Sequence, residues 1–310
     1  MCVSDTYTKK GDAMSKENYR PVSSLPSASK LLESIVKKQV TDHLEVNNLL
    51  PDNQHGFRSG RSTMSASRAT QKDWAENKEG GWLTGVLLWD LSAAFDTIDV
   101  NILLKKLEIL GFSPLANKWM SSFVTDRKQA VRIINCISKF TTLTSGVPQG
   151  GILSPIFFIA YVADLENWVK YSKLNTYADD TASNVIAKTP DELKVKLESD
   201  ATAILKFMAS NGLVANPSKT HLLVLNYNSD EKLTIKINGC DIVQTENENL
   251  LGITFSDTLK WSAQIDQLIA NLNRRFFLLR RLCNRHSKDL LVKVANGTIM
   301  SIVRYGLQLY

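Results

Sequence analysis

A run of apolar residues long enough to cross a bilayer is missing from this 310-residue chain. None approaches the ~20 residues that a spanning helix needs. The stretch from Met1 to Arg20 is polar and has no apolar segment of the kind a secretory signal carries, so no such signal is expected. Cysteine is sparse. Cys2, Cys136, Cys240 and Cys283 lie far apart, and no two stand at metal-ligand spacing. That usage fits reduced thiols in a reducing compartment. His43, His55, His221 and His286 form no zinc pattern and read as surface or packing residues. Internal repeats and low-complexity tracts are absent too. Acid is scarce at one end: residues 260–310 hold nine Lys and Arg against Asp266 and Asp289, a net +7 where the rest of the chain sums to −1. A basic end suits a polyanionic partner, and a solvated helix face explains it equally well.

What is present is globular. With 44% hydrophobic and 22% charged residues, wholesale disorder is excluded. The length serves one large domain or two to three subdomains. Helix and strand signals alternate, which predicts a mixed α and β fold. Leu31 to Leu44 reads as a helix with Leu32, Ile35, Val36, Gln39, Val40 and His43 on one stripe. Gly85 to Trp89 has the length of a buried strand and stops at Asp90. Ile102 to Leu110 reads as a helix ended by Gly111. Residues 129–135 and 140–145 suit a strand pair, and Ser154 to Val169 a buried helix with Pro155 in its first turn. Thr189-Pro190-Asp191-Glu192 is a capping box, followed by Leu193, Leu197, Ala201, Ile204 and Met208 at helical spacing. His221 to Asn226 is a strand, Asn238-Gly239 marks a hairpin, and Leu250 to Phe255 reads as one further strand. In the basic end, Ile265, Leu268, Ile269, Leu272, Phe276 and Leu279 form an apolar stripe with arginines off it, so a helix that packs one face and shows a basic one is expected.

Two strand-like segments end in carboxylates: Leu87-Leu88-Trp89-Asp90 and Asn175-Thr176-Tyr177-Ala178-Asp179-Asp180. Adjacent aspartates repel and are costly to bury without a cation. Hard divalent cations take carboxylate oxygens and keep waters or phosphates as other ligands. A third Asp from a neighbouring strand would complete a two-metal site. A solvated turn explains a lone Asp-Asp pair as well. The stretch Ser145-Gly146-Val147-Pro148-Gln149-Gly150-Gly151 is a turn-rich loop before the Pro155 helix, and such a loop can meet a nucleotide through its N–H groups and the Gln149 amide.

The order of these segments resembles the reverse transcriptase domain of non-LTR (LINE-type) retrotransposons of the jockey and I-element kind. Lys9-Lys10-Gly11-Asp12 with Glu17-Asn18-Tyr19-Arg20-Pro21-Val22-Ser23 is similar to the first finger motif, continued by Ser29-Lys30-Leu31-Leu32-Glu33. Gln54 to Thr63 (QHGFRSGRST) resembles the second. Asp90-Leu91-Ser92-Ala93-Ala94-Phe95-Asp96 resembles the palm motif with the first metal-binding Asp, Gly146 to Gly150 the nucleotide-contacting loop, and Tyr177-Ala178-Asp179-Asp180 the YxDD signature. Asn211-Gly212-Leu213 through Lys219, and Leu250-Leu251-Gly252, resemble the last two palm motifs. Departures are mild: Trp89 precedes the Asp where a smaller residue is usual, Val100 stands for a common His, and Ala93 for a frequent Lys.

The resemblance implies an α/β (α+β) right-hand polymerase over residues 1–310: fingers at 1–84 and about 112–150, palm at 85–111 and 151–255, and a helical thumb at 256–310. It implies an RNA-directed DNA polymerase acting on an RNA template, a DNA primer or target and dNTPs, with no membrane partner. Asp90, Asp179 and Asp180 would be the catalytic carboxylates and, with the Leu91 carbonyl, the ligands of two Mg²⁺ ions, Mn²⁺ being an alternative. Phe95 would be a steric gate against the ribose 2′-hydroxyl, and Gln149 would contact the nucleotide. Lys30, Arg58 and Arg61 are candidates for the triphosphate, and Lys219 for the pyrophosphate. Asp96 and Asp99 are assigned to the start of the following helix. Nuclear action follows from the element's way of life. No flanking endonuclease is visible and the chain begins just inside the first finger motif, so a fragment or truncated copy is expected. Two other readings stand: an RNA-dependent RNA polymerase or intron-type reverse transcriptase, the former opposed by Phe95, and a catalytically dead remnant that at most binds nucleic acid.

Overall fold

The structure, a computed structural model, describes residues 2–8, 19–91, 94–133, 136–215, 219–229, 231–283 and 286–309. Residues 9–12, 17–18, 92–93, 134–135, 216–218 and 285, named above, lie outside them.

In chain order the elements are β1 (Cys2–Thr8), β2 (Tyr19–Ser24), α1 (Ser27–Val46), α2 (Thr63–Glu79), β3 (Leu83–Trp89), α3 (Val100–Ile109) and α4 (Pro114–Val124). There follow β4 (Lys128–Ile133), β5 (Cys136–Ile137), β6 (Thr141–Thr142), α5 (Ser154–Tyr161), β7 (Lys173–Tyr177), β8 (Asp180–Ala187) and α6 (Pro190–Ser210). The remainder is β9 (His221–Leu225), β10 (Thr234–Ile237), β11 (Cys240–Thr245), β12 (Asn247–Leu250), β13 (Ile253–Ser256), α7 (Ser262–Cys283), α8 (Lys288–Ala295) and α9 (Ser301–Arg304). The chain divides into two compact units: a first of residues 1–57, 90–170 and 202–216, and a second of 58–89, 171–201 and 217–310.

In the first unit, β1 pairs antiparallel with β2 and parallel with β4, and β4 also pairs with β5 and β6. The predicted 129–135/140–145 pair is thus present, in register Gln129↔Thr141. Helix α5 is buried from Ile156 to Tyr161. It is shorter than the apolar run suggested, because Lys106 Nζ takes the Tyr161 carbonyl (2.6 Å) and the Asp164 carboxylate (2.6 Å), and the chain turns there into a 3-10 segment, Leu165–Trp168. Asp99 caps α3 as expected, accepting from the Asn101 and Ile102 N–H groups. Helix α1 departs from its stripe. Glu33, Val40 and Leu44 are buried while Leu32 and Ile35 are 50% and 54% exposed. The Glu33 carboxylate turns that face inward by accepting backbone N–H groups at the start of α5.

In the second unit, the main sheet runs β10-β11-β9-β3-β8-β7. The apolar run of β3 explains its central place: it pairs antiparallel with β8 on one side and β9 on the other, and Thr84 to Trp89 are buried. One face packs Val86, Leu88, Ala182, Leu223 and Leu225 against Trp74 of α2 and Phe255 of β13. On the other face α6 comes so close that a Cβ at Gly85 would stand 2.7 Å from Leu197 Cδ1. The capping box is present with one change: Thr189 Oγ1 accepts from the Glu192 N–H, but Glu192 reaches back to the N–H of Lys188. The Asn238-Gly239 hairpin forms with both residues at positive φ.

Two further expectations need correction. Leu250 to Phe255 is a hairpin, not one strand: β12 and β13 pair across Leu251 (φ 53°) and Gly252 (φ 80°). The Asn249 side chain accepts from the Gly252 N–H, which stabilises that turn where apolar residues mask it in sequence. The stripe of α7 faces inward only in part: Leu268, Leu272 and Leu279 are half-buried, while Ile265, Ile269 and Phe276 are exposed and Gln264 is buried. The helix start docks on β13 through polar contacts, with the Thr254 N–H donating to Gln264 Oε1 (2.8 Å) and Thr254 Oγ1 to Gln267 Oε1.

Candidate active site

Strand β3 ends at Trp89, and Trp89 pairs with Thr181 of β8. Asp90 is the next residue in the chain after Trp89, and Asp179 and Asp180 are the two before Thr181. The Tyr177-Ala178-Asp179-Asp180 stretch is the tip of the β7–β8 hairpin rather than a strand end. Tyr177 pairs with Asp180, and Ala178 and Asp179 make the turn. Ala178 sits at φ 58°, a conformation rare for a residue with a Cβ and often kept where geometry matters to function. Asp179 is half-buried and Asp180 exposed. Lys219 is exposed and lies two residues before β9, whose first residue pairs with Leu88, so it stands at the same end of the sheet as Trp89 and Asp180. Arg58 and Arg61 are half-buried in the turns before α2, the Arg61 N–H donating to the Arg58 carbonyl.

The bulky Trp89 is accommodated inside the sheet. Its indole N–H donates to Ser183 Oγ (3.0 Å), and the side chain is 4% exposed. A small hydroxyl on β8 thus satisfies the polar atom and leaves room for the ring.

In the first unit, Asp90 is half-buried, and Leu91 is buried and bridges Ala215. The glycine-rich loop is stapled to the segment after them: the Val147 N–H donates to the Phe95 carbonyl (2.8 Å) and the Gly146 N–H to the Ile98 carbonyl (2.7 Å). Phe95 and Gln149 are therefore held in one local structure, and Lys30 lies exposed on α1. The Phe95 ring is half-buried against Phe158, with centroids 5.3 Å apart. Arg127 donates to the Ser145 and Gly146 carbonyls. The Asp96 carbonyl serves this loop by accepting from Ser145 Oγ. Gly146 has φ 77°, and a Cβ there would stand 2.7 Å from the Asp96 carbonyl oxygen. Gly146→Ala is expected to cost about 2 kcal/mol or more of stability, read as a lower midpoint in urea unfolding.

Tyr161 ties the Asn211-Gly212 stretch to this segment: its hydroxyl accepts from the Asp99 N–H (3.3 Å) and donates to the Asn211 carbonyl (2.5 Å). Burial pushes the phenol up to about 12. A raised pKa contributes stability that is complete below the ordinary value of 10.0 and is lost as pH rises towards 12. Burial pushes Lys106 the other way, below its ordinary 10.5, so its contribution grows with pH only up to that value. Stability is therefore expected to fall between pH 10.5 and 12. Tyr161→Phe should flatten that fall in unfolding measured across the window.

Glu33 belonged to a recognised motif but carried no assigned role. It is 1% exposed, and its carboxylate accepts from the Ile152 N–H (2.7 Å), the Leu153 N–H (3.3 Å) and Ser29 Oγ (3.1 Å). Its short distance in sequence from Lys30 was the available signal.

A family model described as "Reverse transcriptase (RNA-dependent DNA polymerase)" matches residues 7–255. The chain belongs to the reverse transcriptase family. It is 29% identical over 282 residues to the probable RNA-directed DNA polymerase from transposon BS of Drosophila melanogaster, covering 88% of this chain and 31% of that protein. It is 27% identical over 310 residues to the RNA-directed DNA polymerase from mobile element jockey of Drosophila funebris, covering 95% and 33%. The chain thus spans about a third of the length of these relatives, which are of the retrotransposon kind the motif order suggested. Among solved structures, the apo telomerase from Candida tropicalis is similar with a TM-score of 0.55 at 13% identity, over 78% of this chain and 46% of that one. The telomerase from Candida albicans in complex with a TWJ fragment of telomeric RNA gives 0.51 at 13% identity, over 99% and 54%. At such identity the likeness is one of fold, the right-hand polymerase fold. No helix among the described residues is long and apolar enough to cross a membrane.

Proposed function

We propose that the chain is an RNA-directed DNA polymerase that transfers dNTPs onto a primer 3′-hydroxyl along an RNA template. The observation that carries this reading is the register of β3 on β8: Trp89↔Thr181 sets the hairpin bearing Asp179 and Asp180 level with the strand end after which Asp90 follows. Reverse transcriptases use divalent metal ions as a family. Asp90, Asp179 and Asp180 supply oxygen donors alone, half-buried or exposed, which suits a hard cation that keeps waters and substrate phosphates. Among the described residues no group of three or more His, Cys, Asp or Glu is placed to hold a metal ion.

Asp90 and Asp179 are assigned as the holders of two Mg²⁺ ions, with Mn²⁺ as a substitute, the Leu91 carbonyl as a further donor and Asp180 in support. Bound there, such ions supply a more acidic attacking hydroxyl and stabilise charge on the leaving oxygen. Phe95 excludes the 2′-hydroxyl, and Gln149 orients the nucleotide with its amide. Lys30, Arg58 and Arg61 offset the triphosphate charge. Lys219 gives a proton or a charge to the pyrophosphate. The basic helices α7 and α8 would grip the template–primer backbone, a contact weakened by salt. Fingers at 1–84 and about 112–150, palm at 85–111 and 151–255 and thumb at 256–310 follow as a division by role, which cuts across the two compact units. As an element-encoded enzyme it would act in the nucleus.

The test is primer extension on an RNA template with Mg²⁺, comparing the chain with its Asp179→Ala variant. Extension by the former alone supports the reading. Equal signals, or none from the unaltered chain, overturn it.

A further inference from the structure

The helix that begins after the Gly146–Gly151 loop has no cap of its own. The residue before α5 is Leu153, whose side chain makes no cap hydrogen bond, and Pro155 brings no N–H. The N–H groups that lead into the helix, those of Ile152 and the N-cap Leu153, are met from another element. Glu33, one turn and a half into α1, buries its carboxylate on the Ile152 and Leu153 N–H groups at 2.7 and 3.3 Å. Its second oxygen accepts from Ser29 Oγ at 3.1 Å, in the turn of α1 that also carries Lys30. The adjoining loop leaves no spare room. A Cβ at Gly151 would stand 3.2 Å from Glu33 Oε2, 2.8 Å from Ser154 Oγ and 3.2 Å from the Pro148 carbonyl. The Pro148 carbonyl accepts from Ser154 Oγ (2.7 Å), and the Gln149 carbonyl accepts from the Ser23 N–H (2.8 Å). Gln149 thus sits on a loop whose two sides are fixed, by Phe95 and Ile98 before it and by Glu33 after it.

From this geometry we infer that Glu33 is a positioning residue for nucleotide binding, a latch that holds the Gln149 loop and the Lys30 turn of α1 in one fixed relation. It touches no substrate. This inference rests on the polymerase reading for the identity of the ligand, while the latch itself is a property of the free protein. A buried carboxylate accepting two backbone N–H groups makes charge-assisted bonds, and removing it leaves those donors without a partner. The loop then has an alternative position to adopt, and the cost falls on the binding of dNTP rather than on the chemical step. Glutamine can keep the arrangement, with its oxygen on the two N–H groups and its amide N–H donating to Ser29 Oγ.

The full chain, Glu33→Ala and Glu33→Gln are compared in two measurements. Hydrogen exchange at the Ile152 and Leu153 amides reads the latch without turnover. Protection should be lost in Glu33→Ala and kept in Glu33→Gln, and unchanged protection in Glu33→Ala overturns the latch. Steady-state extension reads the function. Glu33→Ala should raise the dNTP KM at least about tenfold with kcat within about threefold, and Glu33→Gln should restore the KM. A fall in kcat at constant KM, or a Gln variant no better than Ala, overturns the positioning role. Should Glu33→Ala not fold, Ser29→Ala removes only the bond within α1 that orients the Glu33 carboxylate and must raise the same KM, failing which the inference is wrong. A chain that shows latch protection but extends no primer sinks the polymerase reading. Equilibrium titration with dATP then decides the positioning role by whether Glu33→Ala weakens binding.

Discussion

Asparagine in place of Asp90 or Asp179 is expected to cut RNA-templated extension by at least about a thousandfold, and asparagine in place of Asp180 by far less. Asparagine keeps the shape of each side chain and removes its charge, and a hard divalent cation depends on that charge. The three positions differ in how the fold presents them. Trp89, the residue before Asp90, is locked by its pairing with Thr181 and by its indole bond to Ser183. Asp179 lies in the turn beyond the last ladder pair, Tyr177↔Asp180, half-buried and fixed by an Ala178 held at positive φ. Asp180 is within the ladder and exposed, so water screens its charge more fully. Circular dichroism and urea unfolding should show all three variants folded, since none of the carboxylates belongs to the apolar core. Equal activity in Asp179→Asn and the unaltered chain would remove the metal-site assignment. Equal losses at all three positions would remove only the ranking.

How much of this could be read in advance differs from element to element, for physical reasons. Strand β3 was legible because a strand covered on both faces is written as a continuous apolar run, and the Asn238-Gly239 turn because few residue pairs suit two positive φ angles. The hairpin at Leu251-Gly252 was hidden because its turn uses a leucine and lies inside an apolar stretch. Helix α2 was missed because Trp74 and Ala66 are its apolar core residues and the rest of its buried positions are Ser67 and Thr70. Strands β1 and β2 are largely polar and show no alternation. Both helix faces that were misassigned share one cause. In α1 and α7 a buried polar side chain, Glu33 or Gln264, bonds a backbone N–H of a neighbouring element and decides which face turns inward. Hydrophobic periodicity cannot report such a bond, because its partner lies on another element. The candidate site was legible in its residue types and order, since carboxylates and glycines are required by chemistry and by backbone conformation. Its supports, Ser183 under Trp89, Asp96 under Gly146 and Glu33 under the loop, are ordinary residues whose meaning is positional.

Removing the Phe95 ring is expected to raise incorporation of ribonucleotides relative to deoxyribonucleotides by roughly 100-fold. The ring is held at two levels. Its backbone carbonyl accepts from the Val147 N–H at 2.8 Å, and its face leans on Phe158 with centroids 5.3 Å apart and planes at 43°. A side chain so fixed cannot swing aside to admit an extra hydroxyl, and the same loop that fixes it carries Gln149. The two side chains proposed for sugar discrimination and nucleotide orientation thus share one support. Phe95→Val and Phe95→Ala should relax the sugar choice in order of size, with dNTP incorporation itself falling less than tenfold, because the ring is assigned to exclusion and not to chemistry. The loss of its contact with Phe158 should lower stability by about 1–2 kcal/mol, the ring being only half-buried. Primer extension with a single dNTP and then with the matching rNTP measures the ratio directly. An unchanged ratio in Phe95→Ala, in a variant that still extends with dNTPs, would mean that the 2′-hydroxyl is read elsewhere and that Phe95 only packs the segment before α3 against α5.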